Sequence, residues 1–344
     1  MKILVTGGAG FIGSNFVHYI LEKYPEDEII NLDALTYAGN LESLKDVAEN
    51  PRYEFVHGDI MDTILVDELM KKVDVVVHFA AESHVDRSIL DSAAFVRTNI
   101  NGTLNLLELA KKNGNKRFHH ISTDEVFGSL GFDDPAFNEK TPYDPRSPYS
   151  ASKASSDHLV QAYFHTHNLP ITISNCSNNY GPYQFPEKLI PFFITKLMKG
   201  KKVPVYGKGD NIRDWLHVKD HCIAIDKIVR EGKIGETYCI GGNAEKTNLE
   251  ITHRVLELMG ADENQIKYVE DRKGHDKRYA IDFSKIKKEL NWEPSVSFEE
   301  GIKETVEWYK NNSQWLKNIQ SGEYKEYNKK HQDDKHPLED ELKK

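Results

Sequence analysis

Lys2-Ile3-Leu4-Val5-Thr6-Gly7-Gly8-Ala9-Gly10-Phe11-Ile12-Gly13 decides how the rest of the chain is read. An apolar, strand-forming run enters a glycine-rich turn, and a helical pattern follows from Phe11 to Tyr24. The glycines at 7, 10 and 13 answer physical needs. One permits the tight turn, one lets backbone approach a pyrophosphate, and one lets helix and strand pack closely. The helix start near Phe11, with Ile12 behind it, offers free N–H groups and a positive dipole end to phosphate. An ordinary glycine turn would carry the same letters. What argues against it is Asp33, at the end of the next strand-like run and twenty positions after Gly13. A carboxylate there hydrogen-bonds a ribose diol and repels a 2′-phosphate, which favours NAD over NADP. Asp59-Ile60, after a third such run, could border an adenine, although Asp59 could equally be a cap.

Working outward, strand-like runs recur at Glu28 to Leu32, Tyr53 to His57, Val73 to His78, Arg117 to Ser122 and Ile171 to Asn175. Helical patterns such as Phe95 to Lys112 lie between most of them. This alternation predicts an α/β fold, a doubly wound parallel sheet of the Rossmann type. Val73-Asp74-Val75-Val76-Val77 is nearly continuous in apolar residues, as a strand buried on both faces should be. Residues 1–175 are expected to form the dinucleotide-binding domain, with a later segment, about 210–240, returning to it. From residue 176 to 320 loops rich in Pro, Gly, Tyr and Asn alternate with shorter helices, such as Leu189 to Lys199 and Leu249 to Met259. They predict a smaller C-terminal lobe over the sheet's carboxyl edge, where such folds bind ligands. The charged stretch 322–344 reads as a solvated tail.

The 344 residues carry a formal net charge of −9. That disfavours nucleic acid or an anionic membrane as the main partner and requires a locally basic pocket for any phosphorylated ligand. Cys176, Cys222 and Cys239 form no paired motif, so neither a disulfide framework nor a zinc site is expected, and no metal. With no signal-like start and no membrane-length apolar run, the cytoplasm is the expected compartment.

Tyr149-Ser150-Ala151-Ser152-Lys153 sets Tyr and Lys one turn apart on a predicted helix, so both project from one face. An unperturbed Tyr has a pKa of about 10. An ammonium ~4 Å away is worth roughly 4 kcal/mol to a tyrosinate at an effective dielectric of ~20, before desolvation subtracts from it. Such a Tyr could accept a sugar hydroxyl proton while hydride leaves the same carbon. Alone, this spacing is common on helix surfaces. Thr123-Asp124-Glu125, after the fifth strand-like run, places two carboxyl groups side by side. On a strand they would face opposite ways, so serving one substrate requires the chain to leave strand geometry there. Paired carboxyls suit paired acid and base work. A capping Asp with a solvated Glu is the alternative.

With the glycine turn, Tyr149/Lys153 and Asn99-Ile100-Asn101-Gly102-Thr103 in place, the chain resembles the extended short-chain dehydrogenase/reductases over roughly residues 1 to 320. Thr123-Asp124-Glu125, the run from His78 to Ser88, the run from Asn175 to Pro191, and Asp271-Arg272-Lys273-Gly274-His275-Asp276 look like those of the dTDP-glucose 4,6-dehydratase branch. That resemblance implies an NAD-dependent lyase feeding deoxysugar (rhamnose-type) biosynthesis, acting on dTDP-glucose as a homodimer. It implies Asp124 as the acid at the C6 hydroxyl, Glu125 as the base at C5, Tyr149 as the base at the C4 hydroxyl, and Thr123 as its orienting group. It carries over Thr36, Phe79, Ala80, Ala81, Ser83, Thr98 and Asn179 as cofactor contacts. Ser83, Asn178, Lys188, Leu189, Arg213, Asn248, Arg272 and His275 become substrate contacts, with Pro204 and Tyr206 as a wall for the base. Asn248 could instead be a helix N-cap. Phe127 and Lys273 depart from the residues usual in that branch, away from any acid–base role. A 4-epimerase or a nucleotide-sugar decarboxylase would share Tyr149 and the cofactor site. A mannose-type dehydratase would usually take NADP, against Asp33. A non-catalytic NAD-binding scaffold is the reading from another class.

Overall fold

The computed structural model describes residues 1–271 and 275–321. Arg272, Lys273 and the charged tail 322–344 lie outside the described residues. Twelve strands occur in chain order among the described residues: β1 (Lys2–Thr6), β2 (Glu28–Asp33), β3 (Tyr53–His57), β4 (Val75–His78), β5 (Arg117–Thr123), β6 (Ile171–Cys176), β7 (Asn178–Tyr180), β8 (Val203–Tyr206), β9 (Ile212–His217), β10 (Thr237–Ile240), β11 (Glu245–Thr247) and β12 (Ile266–Val269). Seven of them form one parallel sheet in the order β10-β6-β5-β4-β1-β2-β3. The strand order reverses between β1 and β4, and that switch point opens a crevice at the strands' carboxyl ends.

The burial of β1 shows why the sheet is doubly wound. Leu4 belongs to one apolar cluster, with Leu106, Phe118 and Val160, whereas Ile3 and Val5 belong to another, with Phe16, Ile20 and Ile225. Alternate side chains serve opposite faces, and both faces are covered by helices. The helix Val218–Glu231 packs beside the first helix, Phe11–Lys23, where Asp226 accepts from Lys23 (3.1 Å) and the Tyr24 hydroxyl (2.7 Å). It leads into β10, the edge strand on β6. The strand just before that helix, β9, pairs instead with β7 and β11 in a separate three-stranded sheet. A third cluster, holding Phe193, Trp215, Ile251, Ile302 and Trp315, forms the core around this smaller sheet.

The predicted helix Phe95 to Lys112 is interrupted. Val96–Gly102 winds as π-helix before the α-helix Thr103–Lys112 resumes. The wider turn places Asn99 in a buried junction. Its Oδ1 accepts from Glu82 N (2.8 Å), and its Nδ2 donates to Glu82 O (3.0 Å) and Ser152 Oγ (2.8 Å). Its carbonyl accepts from the Thr103 and Ser156 hydroxyls, both at 2.6 Å. One side chain thus ties the loop after β4 to the helix that bears Tyr149.

Candidate active site

The glycine turn is built by close approach. Gly7 has φ +74°, and a Cβ there would fall 2.6 Å from Ala80 N at the end of β4. A Cβ on Gly13 would fall 2.4 Å from Gly7 O. Gly10 is the N-cap of Phe11–Lys23 and provides no side-chain cap, so the first helical turn opens directly onto the crevice, with Phe11 and Ile12 lining it. Asp33 is buried, and both its oxygens are oriented by backbone donors, Oδ2 by Ala9 N (2.9 Å) and Oδ1 by Leu35 N (2.8 Å). Burial raises its pKa, and those two bonds pull it back. Glycines that admit close approach, an uncapped helix end and a fixed buried carboxylate together fit a dinucleotide.

Thr36, Asp59, Ile60, Phe79, Ala80, Ala81, Ser83, Thr98 and Asn179 line the same cleft; Gly13 stands behind it in the turn. Asp59 does double duty. Its Oδ1 accepts from Met61 N (2.9 Å) in a local turn, and Arg97 lies 3.6 Å from its other oxygen. The cap of the following helix is Asp62.

The helix Pro148–His167 carries the Tyr–Lys pair. Ser147 caps it, accepting from Ser150 N (3.0 Å), and Pro148 occupies the first turn, where a missing N–H costs nothing. Tyr149 and Lys153 are both buried at the cleft. Lys153 Nζ donates to Ile121 O (2.7 Å) and lies 3.4 Å from His120 Nε2. Burial brings the Lys153 pKa down to about 8.

The expected lowering of the Tyr149 pKa is not what the protein's own groups produce. Burial, then the nearby Glu125, pushes that hydroxyl well above its usual value, opposed by a hydrogen bond with the Thr123 side chain. The physical reason is that desolvation of a fully buried phenol outweighs an ammonium whose closest bond goes to a carbonyl.

The chain does leave strand geometry at the carboxyl pair. β5 ends at Thr123, whose hydroxyl accepts from Glu125 N (3.3 Å), and Asp124–Phe127 forms a 3₁₀ turn. At three residues per turn, neighbours no longer face opposite ways, and both Asp124 and Glu125 line the cleft. Asp124 is buried. Thr123 Oγ1 donates to its Oδ1 (3.2 Å), and its Oδ2 meets no hydrogen-bond partner among the described residues. Burial and then Glu125 raise the Asp124 pKa well above the carboxylate range, against the pull of Arg213. The shift favours the protonated carboxyl. Phe127 packs in the core against Phe137 and Tyr143, with ring centroids 5.2 and 5.3 Å away.

The proposed substrate residues split into two groups. Ser83, Asn178 and Lys188 line the cleft with Thr123, Asp124, Glu125, Tyr149 and Lys153, and Lys188 Nζ donates to Ser83 O (3.2 Å). Leu189 follows as the first residue of the helix Leu189–Met198. Arg213, Pro204, Tyr206, Asn248 and His275 are not among the residues that line this cleft. Arg213 is buried, donating to Ile212 O (2.7 Å) and Asp276 O (3.1 Å) over the Tyr279 ring. Pro204 and Tyr206 lie on β8. The Tyr206 ring meets that of His275 edge-on at 6.2 Å, and His275 Nδ1 lies 2.8 Å from Asp271. Asn248 is not the cap of its helix. Thr247 is, in a reciprocal box with Glu250, and Asn248 N donates to Asn211 O (3.0 Å).

Sequence reasoning missed a polar cluster behind the Tyr–Lys pair: the buried His120, Asp157 and Asn175 with the half-buried Tyr143. One signal was present, since Tyr149, Lys153 and Asp157 recur every four residues on one helix. It also missed the ion pair of Arg87 with Glu187 (3.1 Å), where Arg87 stacks over Tyr37 at 3.6 Å beside Lys188.

A Rossmann sheet with a Tyr–Lys pair and two adjacent carboxyl groups in one cleft defines an enzyme of the extended short-chain dehydrogenase/reductase type. Within that class the chain belongs to the GDP-mannose 4,6 dehydratase family, whose model matches residues 4–305. It is similar to the dTDP-glucose 4,6-dehydratase of Salmonella typhimurium, 53% identical across 95% of this chain and 98% of that one. The solved dTDP-glucose 4,6-dehydratase of Streptomyces venezuelae, with NAD bound, is 50% identical with a TM-score of 0.90, across 93% of this chain and all of that one. A UDP-glucose 4-epimerase from Thermotoga maritima is 31% identical with a TM-score of 0.84, across 91% and 100%. The fold alone thus spans two reactions.

Proposed function

We propose that the chain converts dTDP-glucose to dTDP-4-keto-6-deoxyglucose and water, with NAD regenerated in each cycle. The observation that carries this reading is Asp124, a buried carboxyl that lines the cleft of Tyr149 beside Glu125, its pKa raised first by burial and then by Glu125. An epimerase has no use for such a pair. The glycine turn, the open helix end and Asp33 would hold NAD, which when bound supplies the oxidant for C4 and the reductant for C6. Tyr149 takes the C4 hydroxyl proton, with Thr123 orienting that hydroxyl. Lys153 offsets the tyrosinate charge that its own burial opposes. The C4 ketone acidifies the C5 proton, and Glu125 removes it. Asp124 gives its proton to the departing C6 hydroxyl, which leaves as water, and C5 is later reprotonated.

Asn178, Lys188, Leu189, Arg213, Asn248, Arg272 and His275 are proposed to grip the nucleotide sugar, with Pro204 and Tyr206 beside the base. Arg213 and Lys188 supply fixed cations that a diphosphate needs in an acidic chain. Thymine is favoured by the half-identical relatives rather than by a base contact. Incubation with dTDP-, UDP-, CDP- and GDP-glucose, read by product spectra, tests the whole reading. A 4-keto-6-deoxysugar formed fastest from dTDP-glucose supports it, and a galactose nucleotide would move the chain to the epimerases.

A homodimer and a cytoplasmic setting belong to the same proposal. Ile89, Leu90, Val96 and Leu104 are exposed on neighbouring helical segments, which suits a covered face, and the three cysteines are free and buried. Light scattering at micromolar concentration checks the dimer.

A further inference from the structure

Lys153 is an ammonium buried at the base of the cleft, and burial works against its charge. The titratable groups facing it come from each packed element. β4 gives His78 and β5 gives His120, both held neutral by burial. β6 gives the Cys176 thiol, pushed up by burial, and the helix itself gives Tyr149, also pushed up. The remaining group is Asp157, one turn beyond Lys153. His120 Nε2 lies between the two, 3.4 Å from Lys153 Nζ and 3.2 Å from Asp157 Oδ1. With its proton on Nδ1, His120 accepts from Lys153 at Nε2, while Asp157 Oδ1 meets no hydrogen-bond partner among the described residues and acts on the ammonium through space. Asp157 Oδ2 accepts from Ser122 Oγ (2.8 Å), the Tyr143 hydroxyl (2.8 Å) and Asn175 Nδ2 (3.3 Å). Burial raises the Asp157 pKa, and Lys153 and then the three donors on that oxygen pull it back toward the ionised form.

We propose that Asp157 is a positioning residue whose carboxylate keeps Lys153 protonated, so that the ammonium is present when Tyr149 gives up its proton. This rests on the dehydratase reading only for its kinetic consequence. Ser122, Tyr143 and Asn175 hold the charge in place, and Asp157 never touches the sugar.

The test uses full-length protein loaded with NAD. The Lys153 midpoint is read from the ¹³Cε shift of labelled lysine against pH. Asp157→Asn keeps the size and removes the charge, and should lower that midpoint by ~1 unit or more. Coupling between two sites is reciprocal. Lys153→Met should therefore raise the Asp157 midpoint, read at ¹³Cγ, and this arm stands even if Asp157→Asn does not fold. An unmoved midpoint in either variant overturns the proposal. In single turnovers with dTDP-glucose, NADH formation should fail at high pH as Lys153 deprotonates, and that limb should move down with the midpoint in Asp157→Asn. A uniform loss of rate with an unmoved limb would mark Asp157 as merely structural and overturn the proposal. If the unmodified protein forms no NADH from dTDP-glucose, the dehydratase reading fails, while the two midpoints still decide whether Asp157 sets the charge of Lys153.

Discussion

Asp124 shows how a single side chain is set for one role by its surroundings. Its pKa is raised, with burial the first cause, so the protonated form is the one the fold favours. The consequence for stability has a definite sign. The contribution is fully present below the unfolded carboxyl pKa of ~3.9 and is lost as pH rises through the raised folded value. Asp124→Asn, which cannot ionise, should therefore match the unmodified protein in melting temperature near pH 4 and exceed it at pH 7 and above. An equal difference at every pH would mean that Asp124 is ionised in the folded protein. Tyr149→Phe should leave binding of the nucleotide sugar nearly intact and abolish most NADH formation in a single turnover, because the lost oxygen matters in the transition state. Near-normal NADH formation would assign the base elsewhere. Asp33→Ala should narrow the preference for NAD over NADP, measured by cofactor titration; the unmodified protein should bind NAD much more tightly. That Asp33, Asp124 and Tyr149 would meet in one cleft was legible because the residue types are rare in such combination. The sign of the Tyr149 shift was not, since the sequence gives the ammonium four residues away but not the Ile121 carbonyl that takes its bond.

Elements turn those side chains toward each other, and here the sequence was a mixed guide. The alternation of strands and helices up to Asn175 could be read from periodicity, because strands buried on both faces leave continuous apolar runs. The π-turn at Val96–Gly102 could not, since its cause is a set of contacts to Glu82, Ser152 and Ser156 far away in sequence. The same holds for β9, whose partners Asn178–Tyr180 and Glu245–Thr247 are separated from it by long stretches of chain. Asn99→Ala tests the junction. It takes the Asn99 side chain from the half-buried Glu82 N–H and C=O, at up to ~1–3 kcal/mol for each group that water does not reach. The melting temperature should fall, and the Glu82 amide should exchange with solvent faster than its neighbours do. Unchanged exchange at Glu82 would remove Asn99 from its place as the bolt between that loop and the helix Pro148–His167.

Taken as a whole, the molecule places an oxidising site and an eliminating site in one cleft. In the proposed reaction the sheet's switch point, with Tyr149 and Lys153 on the helix Pro148–His167, serves the first, and Asp124 and Glu125 in the turn after β5 serve the second. The fold is shared with epimerases, so what separates the reactions is the fate of the hydrogen first removed from C4. dTDP-glucose carrying deuterium at C4, turned over in ordinary water, reports that fate. The account predicts that deuterium leaves C4 and appears at C6 of the same sugar molecule, with no net consumption of reductant. In heavy water one solvent deuterium should enter at C5. Glu125→Gln should slow the C5 step by the ~10²–10⁴-fold typical of a lost general base, and bound NADH should accumulate. Deuterium that returns only to C4, or is lost to solvent, would contradict the account and leave the paired carboxyls without their chemistry.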